Sequence, residues 1–144
     1  MSVYFESMFD QKCIKISNKI VDLDFESAPD ELIDTEFIVI IGVICIQRLN
    51  LWPGNKIRSI ILQEGLQEIN VMNNIHVINL DIPSSVTKCK HISISGTHRG
   101  TNIMFHNDNF MNFDDNFVDF DRINKLEFST TDLEPKFKKR FLIN

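Results

Sequence analysis

The chain has 144 residues, a formal net charge of -5, 43% hydrophobic and 24% charged residues. This is long enough for one domain with a buried core, too apolar for wholesale disorder, and too acidic overall for broad binding of nucleic acid, so no nucleic-acid partner is expected. Usage is Ile-rich and Ala-poor, with 12 Phe but only 5 Gly, 1 Trp and 1 Tyr, which suits strands because β-branched side chains pack well on pleated surfaces.

Met1 to Gln11 is weakly patterned; Val3, Phe5 and Phe9 suit an edge strand or a turn of helix, and the segment lacks a signal-peptide layout. Cys13-Ile14-Lys15-Ile16 is a short strand candidate. Ile20, Leu23 and Phe25 form the next apolar set, with Ala28 behind them. Ala28-Pro29-Asp30-Glu31-Leu32 reads as a turn into a short helical piece, since Pro and acids suit a first turn. Phe37 to Ile46 is the most apolar run. It is about half of what a membrane-spanning helix needs, so no membrane span is expected. Its β-branched residues predict a buried strand, or two around Gly42. Ile46, Leu49 and Leu51 then lead into Trp52-Pro53-Gly54-Asn55, which carries turn chemistry. Ile57, Ile60 and Leu62 make a further strand-like set.

The organising stretch is Leu62 to Thr97. Leu66, Ile69 and Val71 are followed by Asn74, and Cys89, Ile92 and Ile94 by Thr97: two copies of L-x-x-L-x-L-x-x-N, with Thr for Asn in the second. Related units begin at Ile20, Ile46 and Ile123, with room for a degenerate one at Ile103-Met104-Phe105. Spacings of roughly twenty to thirty-five residues are those of stacked repeats, each of which buries its apolar face only against a neighbour. The Asn of such a unit bonds backbone groups where the chain turns away. Over residues 46–97 this pattern, together with Ile82-Pro83-Ser84-Ser85-Val86, resembles the leucine-rich-repeat superfamily in its short-repeat form. The resemblance implies a β-rich fold (β or α+β): an irregular leucine-rich-repeat-like solenoid with a short C-terminal amphipathic helix. The alternative is a β-sandwich or mixed α+β domain. One domain over 1–144 is expected, with an irregular N-terminal part or cap (1–45), a repeat-like body (46–131) and a basic cap or tail (132–144).

Beyond Thr97, Phe110, Phe113, Phe117 and Phe120 recur at three and four residues. That spacing predicts a helix near 108–121, started by Asn107 or Asp108, with its phenylalanines buried against the sheet. Ile123, Leu126 and Phe128 give a last strand. Lys136-Phe137-Lys138-Lys139-Arg140-Phe141 reads as a C-terminal cap, Phe137 and Phe141 packed at i, i+4 with the cations solvated.

Catalytic motifs are absent: there is no phosphate-binding glycine loop, no G-x-S-x-G and no H-E-x-x-H. Cys13, Cys45 and Cys89 are too widely spaced for a zinc or redox pair, and read as reduced thiols of an intracellular protein in cytoplasm or nucleus. Cys89, His91, His98 and His106 are the one set with metal-ligand chemistry, but Cys89 and His91 face opposite sides of one strand. No metal, no cofactor and no enzymatic activity are therefore expected. The implied work is binding. A concave sheet would expose Asp22, Asp24 and Glu26; Arg48 and Asn50; Glu68, Asn70 and Met72; His91, Ser93 and Ser95; and Lys125, Glu127 and Ser129. Of these, Arg48, Asn50, Glu68, Asn70, Met72, His91 and Ser93 are the candidate partner-binding residues, with Trp52 as their anchor. The first functional expectation is an adaptor or interaction subunit for a protein partner. The second is a structural or assembly subunit, virion-associated or otherwise, that forms a homo-oligomer or larger assembly through its sheet ends.

Overall fold

The computed structural model describes residues 2–8, 11–95, 100–106 and 109–142. The chain winds back and forth between two sheets. One holds seven strands: β1 (Ser2–Met8), β2 (Gln11–Ser17), β4 (Phe37–Ile40), β6 (Ser59–Leu62), β8 (Asn79–Ile82), β10 (Thr101–Phe105) and β12 (Ile123–Phe128). The other holds five: β3 (Ile20–Asp24), β5 (Cys45–Asn50), β7 (Glu68–Ile75), β9 (Lys88–Ile94) and β11 (Asn112–Phe113). Among the described residues every pairing is parallel except the β1–β2 hairpin. The result is a β-solenoid of about five turns with 46% strand and one short C-terminal helix, rather than a sandwich. The N-terminal part, expected to be irregular or a cap, supplies β1, β2 and β4 to one sheet and β3 to the other.

The middle coils bury a pair of side chains from each sheet. In the seven-stranded sheet the pairs alternate at the strand period: Ile14/Ile16, Ile38/Ile40, Ile60/Leu62, Leu80/Ile82 and Ile103/Phe105 are all buried. The five-stranded sheet behaves differently. Its inward pairs Ile46/Leu49, Ile69/Met72 and Cys89/Ile92 are three apart and almost fully buried. A bulge explains this. Val21 pairs with Ile46 but Asp22 pairs with Arg48, so Gln47 is an extra residue. Asn70 and Lys90 occupy the matching position in the next two coils, between the Ile69–Cys89 and Val71–His91 pairs. The bulge reverses one sequence-based expectation: Met72 is fully buried whereas Val71 lies half-buried on the outer side. β3 lacks the extra residue, so Val21 rather than Ile20 pairs with Ile46, and Val21 is buried while Ile20 is 58% exposed.

The corners are tied coil to coil. Ser84 Oγ donates to Glu64, Gly65 N donates to Ser85 Oγ at 2.8 Å, and Ser85 Oγ donates to the Leu66 carbonyl at 2.6 Å. The bond from Ser84 holds the Glu64 carboxyl below its usual pKa. Asn55, buried, donates to the carbonyls of Trp52 and Asn74 at 2.9 and 3.0 Å.

The segment expected to be a helix near 108–121 is not one. From Asn109 it runs through turns, the two-residue β11, a bridge from Val118 to Ile92, and a 3-10 turn at Phe120–Arg122. Its phenylalanines are nevertheless inside: Phe110, Phe113 and Phe117 are buried. The residues Asn107 and Asp108, proposed to start that helix, lie outside the described residues, as do Thr97 and His98. The amphipathic helix is α1 (Leu133–Phe141), within the stretch expected as a cap. Phe137 is fully buried, its ring 4.7 Å from those of Phe105 and Phe141. Arg140 ties α1 to the last coil through the Phe113 carbonyl at 2.7 Å and Asp115 at 2.8 Å. No helix among the described residues is long and apolar enough to cross a membrane.

Candidate functional site: the outer face of the five-stranded sheet

The parallel register sorts the outward residues of the five-stranded sheet into rows that cross the coils. One row is Ile20, Cys45, Glu68, Lys88 and Asn112. A second contains the register pairs Asp22–Arg48 and Val71–His91. A third contains Asp24, Asn50 and Asn73. Stacking puts unlike side chains within reach of one another. Arg48 Nε donates to Asp22 at 2.8 Å, its Nη1 to Asp24 at 3.2 Å, and Asn50 donates to the other oxygen of Asp24 at 2.5 Å. Lys88 lies 3.5 Å from Glu68. Asn70 donates to the Gln47 carbonyl of the preceding coil at 3.0 Å. Cys45, half-buried in the first row, has its thiol pKa pushed up by burial and then by Glu68, partly offset by Lys88.

Toward the C-terminal end the face opens into a depression. Lys90, His91, Phe113, Asp114, Asp115, Asn116 and Arg140 line it. A second hollow adjoins it, sharing His91 and Asn116 and continuing to Val118, Asp119, Phe120 and Asp121. These hollows arise because β11 is only two residues long and the chain beyond it lifts away before bridging back at Val118.

The expected partner-binding residues therefore divide. Arg48, Asn50, Glu68, Asn70, His91 and Ser93 all lie on strands of this sheet with exposed or half-exposed positions. Met72 does not belong to the face, since the bulge turns it into the core. Trp52 is also no anchor for it: 3% exposed, it packs edge-on against Phe25 with ring centroids 5.6 Å apart. Lys125 and Glu127 sit on β12, in the seven-stranded sheet, and so belong to the opposite side of the solenoid. Lys88, Lys90, Asp114, Asp115, Asn116 and Arg140 were missed. Arg140 arrives from α1, and no sequence spacing connects it to His91.

Chemically the face is built to hold polar groups in place. Cys89 is buried, and burial followed by the nearby Asp114 carboxylate pushes its thiol pKa far up, so it is neither a ready nucleophile nor a ready ligand. His91 is exposed on the other side of the same strand, and His106 lies 3.4 Å from Asp81 on the opposite sheet. Among the described residues no group of three or more His, Cys, Asp or Glu is placed to hold a metal ion. No protein-family model, curated protein or solved structure matches the chain.

Proposed function

We propose that this chain is a non-enzymatic protein-interaction subunit that receives a protein partner on the outer face of its five-stranded sheet. The observation that carries the reading is the brace between Arg48, Asp22, Asp24 and Asn50. An exposed Arg loses considerable rotamer entropy when it binds. Here two carboxylates from the neighbouring coil already hold it in one orientation, so less ordering is left for the encounter. The face mixes signs, with Asp22 and Asp24 beside Arg48 and Glu68 beside Lys88, which matches a protein surface better than a phosphate backbone. On this reading the resemblance to the leucine-rich-repeat superfamily lies in layout: stacked parallel strands that each contribute a short outward segment to one shared surface.

The test is capture of a partner by the tagged chain and by an Arg48→Ala/Asn50→Ala/Glu68→Ala variant. The reading expects one stoichiometric protein retained by the wild type and lost by the variant, with thermal stability almost unchanged because exposed ion pairs contribute only about 0–1 kcal/mol. Equal retention by both would remove this face from consideration.

A further inference from the structure

Two sheets have four outermost strands, and three of these are blunted against further pairing. β11 is two residues long. β3 carries Asp22 and Asp24, both engaged by Arg48 of β5. β12 carries Lys125 and Glu127, 3.4 Å apart, and leads into α1. The fourth, β1, has none of these devices. It runs seven residues, Ser-Val-Tyr-Phe-Glu-Ser-Met, with one charge and no Pro or Gly. It is also the strand that reverses direction: β1 pairs antiparallel with β2, whereas the strands beyond run parallel. A long, nearly uncharged edge leaves a row of backbone donors and acceptors open to another strand.

We propose that β1 is a self-association edge: two copies of the chain pair β1 to β1, antiparallel, about a two-fold axis through Phe5, which joins their seven-stranded sheets into one. Antiparallel self-pairing about Phe5 is the register that uses all seven residues. It sets Tyr4 opposite Glu6 of the second copy, Val3 opposite Ser7, and Ser2 opposite Met8. No like charges meet. A parallel in-register pairing would instead stack Glu6 on Glu6, which is destabilising. A two-fold contact is also self-limiting, because each copy uses its one open edge and leaves none for a third.

The register supplies a test that separates pairing between copies from hairpin stability within one. In the hairpin Tyr4 lies opposite Lys15. Tyr4→Glu therefore favours the hairpin but sets two acids opposite each other twice per dimer; Tyr4→Lys does the reverse. Sedimentation velocity of the full chain and both variants across a concentration series reads the result, with thermal melting as the monitor of folding. The wild type is expected to pass from one 16.8 kDa chain to a species of twice that mass and stop there. Tyr4→Glu should raise the dimer dissociation constant about tenfold without lowering the melting temperature of the monomer, and Tyr4→Lys should leave the constant equal or lower. A wild type that stays monomeric throughout, a dimer insensitive to both substitutions, or open-ended growth to larger particles would each overturn the proposal.

Discussion

Asn74 donates from Nδ2 to the carbonyl of Leu51, one coil earlier, at 2.6 Å, and does so from a left-handed backbone with φ 60°. The two features are linked. Met72 pairs with Ile92 and Ile75 with Ile94, so β7 carries an extra residue at this point, and the positive φ absorbs it. Asn is the non-glycine residue that tolerates this conformation best. Its own carbonyl and Oδ1 are used as well, by Asn55 at 3.0 Å and Ser95 at 3.3 Å. The last residue of the L-x-x-L-x-L-x-x-N unit thus knits three coils where the chain leaves the sheet.

Replacing it separates backbone from side chain. Asn74→Gly keeps the left-handed turn and loses the bonds, and should cost about 1–2 kcal/mol. Asn74→Ala loses both, and should cost about 1–2 kcal/mol more. Urea unfolding midpoints measure the two; equal values would mean that the backbone conformation carries no strain.

Two glycines with similar dihedrals predict different costs. Gly100 has φ 71°, and a Cβ there would lie 2.5 Å from the carbonyl oxygen of Arg122, the last residue of the 3-10 turn that leads into β12. Gly42 has φ 68°, and a Cβ there would meet nothing within 4 Å among the described residues. Gly42→Ala should therefore cost about 1–2 kcal/mol, from the left-handed conformation alone. Gly100→Ala should cost distinctly more, because backbone of β10 and β12 must separate. Thermal melting of the two variants side by side checks the order.

Phe137 closes the C-terminal end of the core, touching the rings of Phe105, Phe110, Phe117, Phe120, Phe128 and Phe141. Phe137→Ala should destabilise by about 3–5 kcal/mol, the cost of removing a fully buried ring. Phe141→Ala, at a half-buried site, should cost less. The difference in urea midpoint is the readout, and a negligible effect of Phe137→Ala would mean that α1 is not the cap.

His76, between β7 and β8, has its Nε2 buried with no hydrogen-bond partner among the described residues, and burial lowers its pKa from the usual 6.5. The unfolded chain then takes up a proton near pH 6.5 while the folded one still resists it. Stability is full above the unfolded value and falls as pH drops through 6.5 toward the lower folded value. The urea midpoint should decline over that window, and His76→Phe should flatten the decline relative to wild type. An unchanged slope would assign the pH dependence to other groups.

The stacked β architecture was legible because it needs only apolar residues returning at coil spacing. Ile46, Leu49, Leu66, Ile69, Cys89 and Ile92 were all read as inward and are all buried. Of the two readings of Phe37 to Ile46, one strand or two around Gly42, the structure has the second, with Gly42 between β4 and β5. What the sequence concealed was the bulge. Period two after Ile69 points Val71 in and Met72 out; one extra residue at Asn70 inverts both, and nothing in the composition of Ile-Asn-Val-Met announces it. The phenylalanines from Phe110 misled for a related reason. Spacings of three and four satisfy a helix, yet the same rings are buried by turns that follow the irregular end of the sheet. The depression around His91 was illegible because it joins β9, the turns after β11 and α1. Trp52 was misplaced because its turn folds inward onto Phe25 rather than outward.

The claim that the outer face of the five-stranded sheet receives a protein partner is tested most directly by one capture experiment with two variants. The first is Arg48→Ala/Asn50→Ala/Glu68→Ala. The second is Val39→Lys/Ile61→Lys, which alters neighbouring outward positions on the seven-stranded sheet, where Ile61 is 54% exposed. The account predicts one stoichiometric partner held by the wild type and by the Val39/Ile61 variant, and lost by the Arg48/Asn50/Glu68 variant, all three folded by melting temperature. Loss with the Val39/Ile61 variant and retention with the other would contradict it and move the binding surface to the opposite side of the solenoid.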